Sequence, residues 1–367
     1  MPATLKSTPA RDGFRMPAEF EPHAGCWLLW PERPDNWRRH AQPAQQAFAA
    51  VATAIARFEP VTVGASAQQY ARARALLPAA VRIVELSSDD AWMRDVGPTF
   101  LVNGAGALRG VQWRFNAWGG VYRDFRRDQV VAQKVIELAG CERYCAPFIN
   151  EGGAIHTDGQ GTVMVTEQCL LKRNASLRRG QLETLLKRYL GASRIIWLGE
   201  GVINDETSGH IDNLACFARP GEVCLTWSDD PSDPQQRVSK DAWERLMAAR
   251  DARGRRLVVH KLPAPGPLYM TRSEAAGVSA SDAIRALRAG QRLAASYVNF
   301  YLANGALIMP LLDASTDRAA RRMLRRVFPR RRIVGVPARE ILLGGGGLHC
   351  ITQQQPKCSA GRRAAVD

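Results

Sequence analysis

Short apolar runs broken by glycine turns recur along the chain. Residues 98–113, around Gly104, carry two strand-like runs joined by a tight turn, and so do residues 154–166, around Gly159. Residues 213–227, around Gly221, and 299–310, around Gly305, repeat the pattern. Each predicts a β-hairpin, and three of the turns hold Asn-Gly or Asp-Gly, the pairs that best accept the positive φ of a hairpin turn. Shorter runs at 25–30 and 349–354 extend the series. Between them, apolar residues fall at helical spacing over 43–58, 128–140, 176–191 and 316–328. Several of these segments open on Asp, Ser or Thr and end near Gly, as helices do. Strand-strand-helix units repeating every ~50–90 residues predict an α/β array arranged around an axis. The same edge of each hairpin should then carry the polar chemistry.

Composition narrows the class. Of 367 residues, 46% are hydrophobic and 23% charged, values of an ordinary globular chain. No run approaches the ~18 apolar residues of a membrane helix, and residues 1–17 lack the apolar core of a secretory signal, so a cytoplasmic location is expected. Eight cysteines in such a chain read as reduced thiols, and without a CxxC pair a structural zinc is not expected. The net charge of +15 comes almost entirely from Arg and is densest over 325–332. It raises a polyanion partner as an alternative function, yet no aromatic-interleaved RNA-binding motif accompanies it, and a solvated Arg-rich surface accounts for it.

The loops flanking the hairpins hold the candidate chemistry. Before the first stands SSDDAWMRDVGP (87–98), before the second NEGG (150–153), before the third NDETSGHIDN (204–213). After the fourth, GGGGLHCITQQQP (344–356) ends the pattern. In a strand, His210 and Asp212 would share a face, and the apolar continuation argues that the strand is buried, where an unpaired charge is costly. Cys350 follows four glycines that let backbone approach a ligand, which suits a nucleophile, although a cysteine is more often a small buried hydrophobe. His349 should point away from Cys350, its neighbour in extended chain, so the base partner is expected to be His210. Asp95 and Glu151 open turns and could be plain turn residues. Gathered with Asp212 around a Cys and a His, they form an acidic pocket in a basic protein. Such a pocket wants a cation, and a guanidinium pairs with carboxylates through a planar fork.

These residues stand in stretches with a recognisable pattern. MPAEFEPHAGCWLLWPERPDNWR (16–38), DDAWMRDVGPTFLVN (89–103), FNAWGG (115–120) and EGGAIHTDGQGT (151–162) lead it. NDETSGHIDN (204–213), RLAASYVNFYLANG (292–305) and LHCITQQQP (348–356) complete it. Nearly the whole chain resembles the agmatine deiminases of the guanidino-group-modifying superfamily. The resemblance implies one catalytic domain over 1–367, a five-fold pseudosymmetric α/β propeller of strand-strand-helix-strand units, with flexible ends at about 1–12 and 357–367. It implies hydrolysis of agmatine to N-carbamoylputrescine and ammonia, with no metal or organic cofactor. Cys350 is the implied nucleophile, His210 the general acid/base, Glu151 the carboxylate that orients it, and Asp95 and Asp212 the pair holding the guanidinium. For the far cation of agmatine, acids or aromatic faces are expected, with Trp92, Trp118, Asp89 and Glu206 as candidates. The expected partner is a small cationic guanidine, with no membrane or nucleic acid, and a homo-oligomer is allowed. Two departures bear on the substrate. Glycines precede LHC where the family usually has Asn and Ile, and Arg123, Arg126 and Arg127 stand in the short stretch 121–129. If that stretch lined the entrance it would disfavour a dication, which opens the alternative of a deiminase for peptidyl-arginine or another guanidine.

Overall fold

The computed structural model describes residues 3–281 and 288–358. Its strands form five sheets, none closed on itself, and helices pack against them to give a mixed α/β fold. One unit recurs in all five sheets. A strand pairs antiparallel with the next, a helix crosses over, and a third strand returns parallel to the second.

The hairpin of Thr99–Asn103 and Leu108–Arg114 continues through helix Asp128–Leu138 to the parallel strand Glu142–Ile149. His156–Thr157 and Thr162–Thr166 continue through helix Arg179–Leu190 to Arg194–Leu198. Ala215–Arg219 and Glu222–Trp227 continue through helix Pro234–Ala248 to Val258–Pro263. Tyr301–Ala303 and Ala306–Leu311 continue through helix Asp317–Val327 to Arg332–Pro337. The remaining unit joins the two ends of the chain. Its first strand is Gln353–Pro356, which runs antiparallel to His23–Leu29, and helix Gln42–Ala56 then leads to the parallel strand Val61–Ala65.

All four hairpins expected from the apolar runs are present, each with a left-handed glycine in its turn: Gly106, Gly159, Gly221 and Gly305, at φ between 68° and 82°. The four expected helices lie within a few residues of their sequence bounds. Helix Gln42–Ala56 shows why. Its buried Ala44, Phe48, Val51, Ala52 and Ile55 recur at helical spacing on the face packed into the core, each large one contributing ~1.5–3 kcal/mol of apolar burial.

The N-terminal stretch expected to be a flexible end is tied down from residue 4. Thr4–Leu5 pairs parallel with Glu142–Ile149, and Asp12 accepts hydrogen bonds from Ser7 Oγ and Tyr144 Oη at 2.8 and 2.7 Å. Of the other expected end, residues 359–367 lie outside the described residues. No described helix is long and apolar enough to cross a membrane.

Candidate active site

Five entry loops, one per unit, bring their polar residues to one place. Asp95 sits in the helical turn Met93–Val96 before Thr99, and Glu151 immediately precedes the turn Gly152–Ala154 before His156. His210 caps the turn Ile211–Leu214 before Ala215 and Asp212 lies within it. Asn299 precedes Tyr301, and Cys350 lies in the turn before Gln353. His210 and Asp212 are thus not in a strand, contrary to the period-2 expectation. They converge because they occupy the first residues of a short helical turn that ends where the strand begins.

Gly153 marks the point of convergence. A Cβ there would lie 2.5 Å from His210 Nδ1 and 2.9 Å from both Asp212 Oδ2 and Asp95 Oδ1, closer than side-chain atoms allow. Asp212 Oδ2 in turn lies 3.5 Å from Cys350 Sγ, and Asn299 Nδ2 donates to the same sulfur at 3.3 Å. On the far side of the imidazole, His210 Nε2 stands 3.3 Å from Glu151 Oε2. Glu151 is locked by the buried Arg173, whose Nε donates to Oε1 at 2.8 Å. Both Glu151 and His210 are 0% exposed, so bulk solvent does not screen their interaction.

Burial and mutual charge set the protonation states. Burial alone would push all the carboxylates up. For Asp95 it wins: the charge of His210 opposes it, Asp212 and Glu151 reinforce it, and the carboxyl is pushed up to about 6. For Glu151 the hydrogen bond from His210 and the charge of Arg173 outweigh burial, and it is held below the usual range. Asp212 is likewise lowered, by its bond to His349 and the charges of His349, His210 and Arg94. His210 is raised well above an ordinary imidazole, because Asp95, Cys169 and Glu151 outweigh the cost of burying its charge. The Cys350 thiol is raised well above normal by burial and by the charges of Asp212 and Asp95. At rest the site is therefore a protonated thiol and an imidazolium among carboxylates.

A cavity opens over Cys350. Trp92, Trp118, Tyr122, Asp95, Asp90 and Glu206 line it, together with Gly344, Gly345 and Gly346. Trp118 Nε1 donates to Asp95 Oδ2 at 2.9 Å, and Trp92 Nε1 donates to Asp90 Oδ2 at 2.9 Å. The two indoles meet edge to face, 6.4 Å apart, so they are core and cavity wall at once. The glycine run is required here. A Cβ on Gly346 would lie 2.5 Å from the Trp92 ring, and one on Gly347 would lie 2.3 Å from Asn299 Oδ1. Glu206 accepts from Gln291 Nε2 at 2.9 Å. Asp89, expected at the far cation, does not line the cavity. Its carboxylate accepts from Arg127 N at 2.7 Å and Asp128 N at 3.4 Å, at the start of helix Asp128–Leu138. In the stretch 121–129, Val121 and Tyr122 face the cavity, whereas Arg123, Arg126 and Arg127 are exposed and take no part in its lining.

The sequence model of the Porphyromonas-type peptidyl-arginine deiminases matches residues 15–356. The chain belongs to this family. An agmatine deiminase of Stutzerimonas stutzeri is 55% identical over 361 residues, 96% of this chain and 98% of the relative. One from Pseudomonas aeruginosa is 55% identical over 358 residues, 95% of this chain and 97% of the relative. Among solved structures, the agmatine deiminase of Enterococcus faecalis superposes with a TM-score of 0.95 at 42% identity, covering 98% of this chain and 100% of that one. An agmatine deiminase of C. jejuni with substrate bound superposes at 0.82 and 27% identity, covering 94% and 97%.

Within this member of the family, several residues of the site escape a linear reading. Asn299 occupies in its unit the place that Asp95, Glu151 and Asp212 occupy in theirs, so aligning the repeats would have found it. Arg173, Glu19 and Arg94 carry no local signal, since an arginine on a helix normally reads as a solvated charge. Among the described residues, two groups bring potential metal donors within 4.8 Å of one another: Glu151, Cys169 and His210, and Glu19, His156 and His349. Their donor atoms are already engaged. Glu151 is held by Arg173 and Glu19 by Arg94 at 3.2 Å. His156 Nδ1 accepts from Phe217 N at 3.2 Å, which leaves the proton on the Nε2 that faces Glu19.

Proposed function

We propose that this chain hydrolyses agmatine to N-carbamoylputrescine and ammonia, with Cys350 as nucleophile and His210 as general acid and base. One observation carries the reading. The cavity over Cys350 is lined by Asp90, Asp95 and Glu206 and by three aromatic rings, with no Arg or Lys among its described lining residues. A guanidinium fits between Asp95 and Asp212, and Trp92, Trp118 and Glu206 suit a second cation at the far end. Free arginine would bring a carboxylate with nothing to clamp it, and a peptidyl-arginine brings no second cation to Trp92, Trp118 and Glu206, which disfavours both alternatives. The likeness to agmatine deiminases over the full chain supports the same choice.

The chemistry follows from the resting charges. A bound guanidinium neutralises the two carboxylates that keep the thiol protonated, so Cys350 ionises when substrate is present. The thiolate attacks the central guanidinium carbon. His210 gives its proton to the departing nitrogen, ammonia leaves, and a thiouronium remains on Cys350. Water then adds at the same carbon with His210 taking one proton, the C–S bond breaks as the remaining hydroxyl proton passes to the sulfur, and the ureido product leaves the resting thiol and imidazolium behind. Glu151 and Arg173 hold the imidazole in place throughout. We infer that the five strand-strand-helix-strand units stand around a common axis as a propeller and form one domain. The five entry loops meeting at Cys350 support this arrangement. The five-residue acid, base and thiol set leaves a purely polyanion-binding role unsupported.

Product analysis with agmatine, arginine and a peptidyl-arginine in competition tests the assignment. Agmatine should win, and its kcat/KM should fall with one-proton slope below about pH 6, as Asp95 takes up a proton and loses its charge. A preference for peptidyl-arginine would reject the substrate, and an unchanged rate down to pH 4.5 would reject the role of Asp95.

A further inference from the structure

Behind Cys350 lies a second charged cluster that the steps above leave unused. Glu19, Arg94, His156 and His349 are 4%, 2%, 2% and 3% exposed. His349 bridges two carboxylates. Its Nδ1 is 2.9 Å from Asp212 Oδ2, and its Nε2 is 2.8 and 3.0 Å from the two oxygens of Glu19. An ionised carboxylate only accepts, so each ring nitrogen needs a proton to bond there. Glu19 is kept ionised by Arg94 Nη1 at 3.2 Å, with His156 Nε2 at 3.7 Å. His349 is then a cation that water does not reach. Arg94 also fixes the backbone on which His349 sits. Its Nε donates to the His349 carbonyl at 3.3 Å, and its backbone N–H to that of Cys350 at 3.1 Å.

We propose that His349 is a positioning residue for the deimination: a buried imidazolium, anchored by Glu19, that keeps Asp212 ionised and holds its Oδ2 so that Oδ1 is left for the guanidinium. The proposal rests on the deiminase reading of the site. Asp212 Oδ1 is buried and has no hydrogen-bond partner in the protein, as a substrate contact requires. The other charged or titratable groups facing Asp212 are His210, Arg94, Asp95, Cys350 and Cys216. Around the whole cluster, Asp95, Glu151, Asp212 and Glu19 are set against His210, Arg173, His349 and Arg94. Removing the charge on His349 breaks that balance beside Asp212, the carboxylate nearest the sulfur. A neutral His349 could present only one donor, so either Asp212 or Glu19 would lose its bond to the ring.

Glu19→Gln tests this with little change of shape, because the amide removes the charge that holds the second proton on His349. At pH 7, kcat/KM for agmatine should fall roughly 10- to 100-fold, carried more by KM than by kcat. The acid limb should move to higher pH and steepen from one proton to two, as Asp212 joins Asp95, and the loss should shrink by pH 9. His349→Asn, which can donate to Asp212 but bears no charge, should shift the limb likewise. A pH profile of parental shape in both variants, with only the number of active sites reduced, would overturn the proposal. A second readout needs no turnover. In 15N-histidine-labelled full-length protein, the resonances missing from His349→Asn should report protons on both ring nitrogens up to at least pH 8. A singly protonated ring at pH 7 would overturn the proposal even if the chain proved to act on another substrate, and a doubly protonated ring without agmatine turnover would fault the function alone.

Discussion

Cys350→Ser is expected to lower kcat for agmatine by roughly 10⁴-fold or more while leaving the fold and agmatine binding intact. Serine nearly matches the thiol in shape, and its hydroxyl can keep the bond toward Asp212 Oδ2 that Cys350 makes at 3.5 Å. What is lost is ionisation. The thiol is already raised well above its ordinary value by burial and by Asp212 and Asp95, and only the guanidinium brings it within reach. A hydroxyl in the same place starts several pH units further from its anion and makes a weaker nucleophile. Calorimetric binding of agmatine within threefold of the parent, combined with lost turnover, is the predicted pair of results. Retention of more than a tenth of the parental kcat would remove Cys350 from the mechanism.

The second large effect belongs to His210→Asn. Positioned acid–base catalysis contributes about 10²–10⁴-fold, and His210 serves both the departure of ammonia and the attack of water, so the upper end of that range is expected in kcat. Glu151 keeps its bond from Arg173 at 2.8 Å, so the buried carboxylate is not stranded and the variant should fold. A separate sign identifies the charge on His210. Its imidazolium holds Asp95 down, at about 6, against burial and the charges of Asp212 and Glu151. Without it, Asp95 should titrate at higher pH, and the acid limb of kcat/KM should move up with it. The sign is fixed by the chemistry: Asp95 must be ionised to hold a guanidinium, so any rise in its pKa removes activity from the acidic side first. An acid limb still at pH 6 in the variant would mean that His210 is neutral in the free protein.

Much of this protein is legible along the chain because its unit repeats. The hairpins are local, their turns announce themselves in Asn-Gly and Asp-Gly, and the helices between them keep their apolar period. The candidate residues could be found for the same reason, since each stands at the entry to a hairpin. Two local readings differ from the structure. His210 and Asp212 converge from a helical turn and not from a strand. His349, expected to point away from the sulfur, bonds Asp212 and Glu19, a contact that no spacing along the chain announces.

By itself the sequence determined the repeating hairpin-and-helix unit, the candidate carboxylates, histidine and cysteine at the hairpin entries, and the glycines beside them. These depend on short-range order: the two-residue period of a strand, the 3.6-residue period of a helix, and turn residues at fixed offsets. Tertiary structure alone decided the pairing of the last strand with His23–Leu29, which joins the chain's two ends in one sheet. It alone decided that Asp89 leaves the cavity while Glu206 stays, and that Arg173 and Arg94 are buried partners of carboxylates and not surface charges. The reason is that a charge becomes an ion pair, a catalytic acid or a solvated ornament according to what lies within ~4 Å of it and how much water is excluded. Residues that meet at that distance here come from five loops spread between positions 95 and 350.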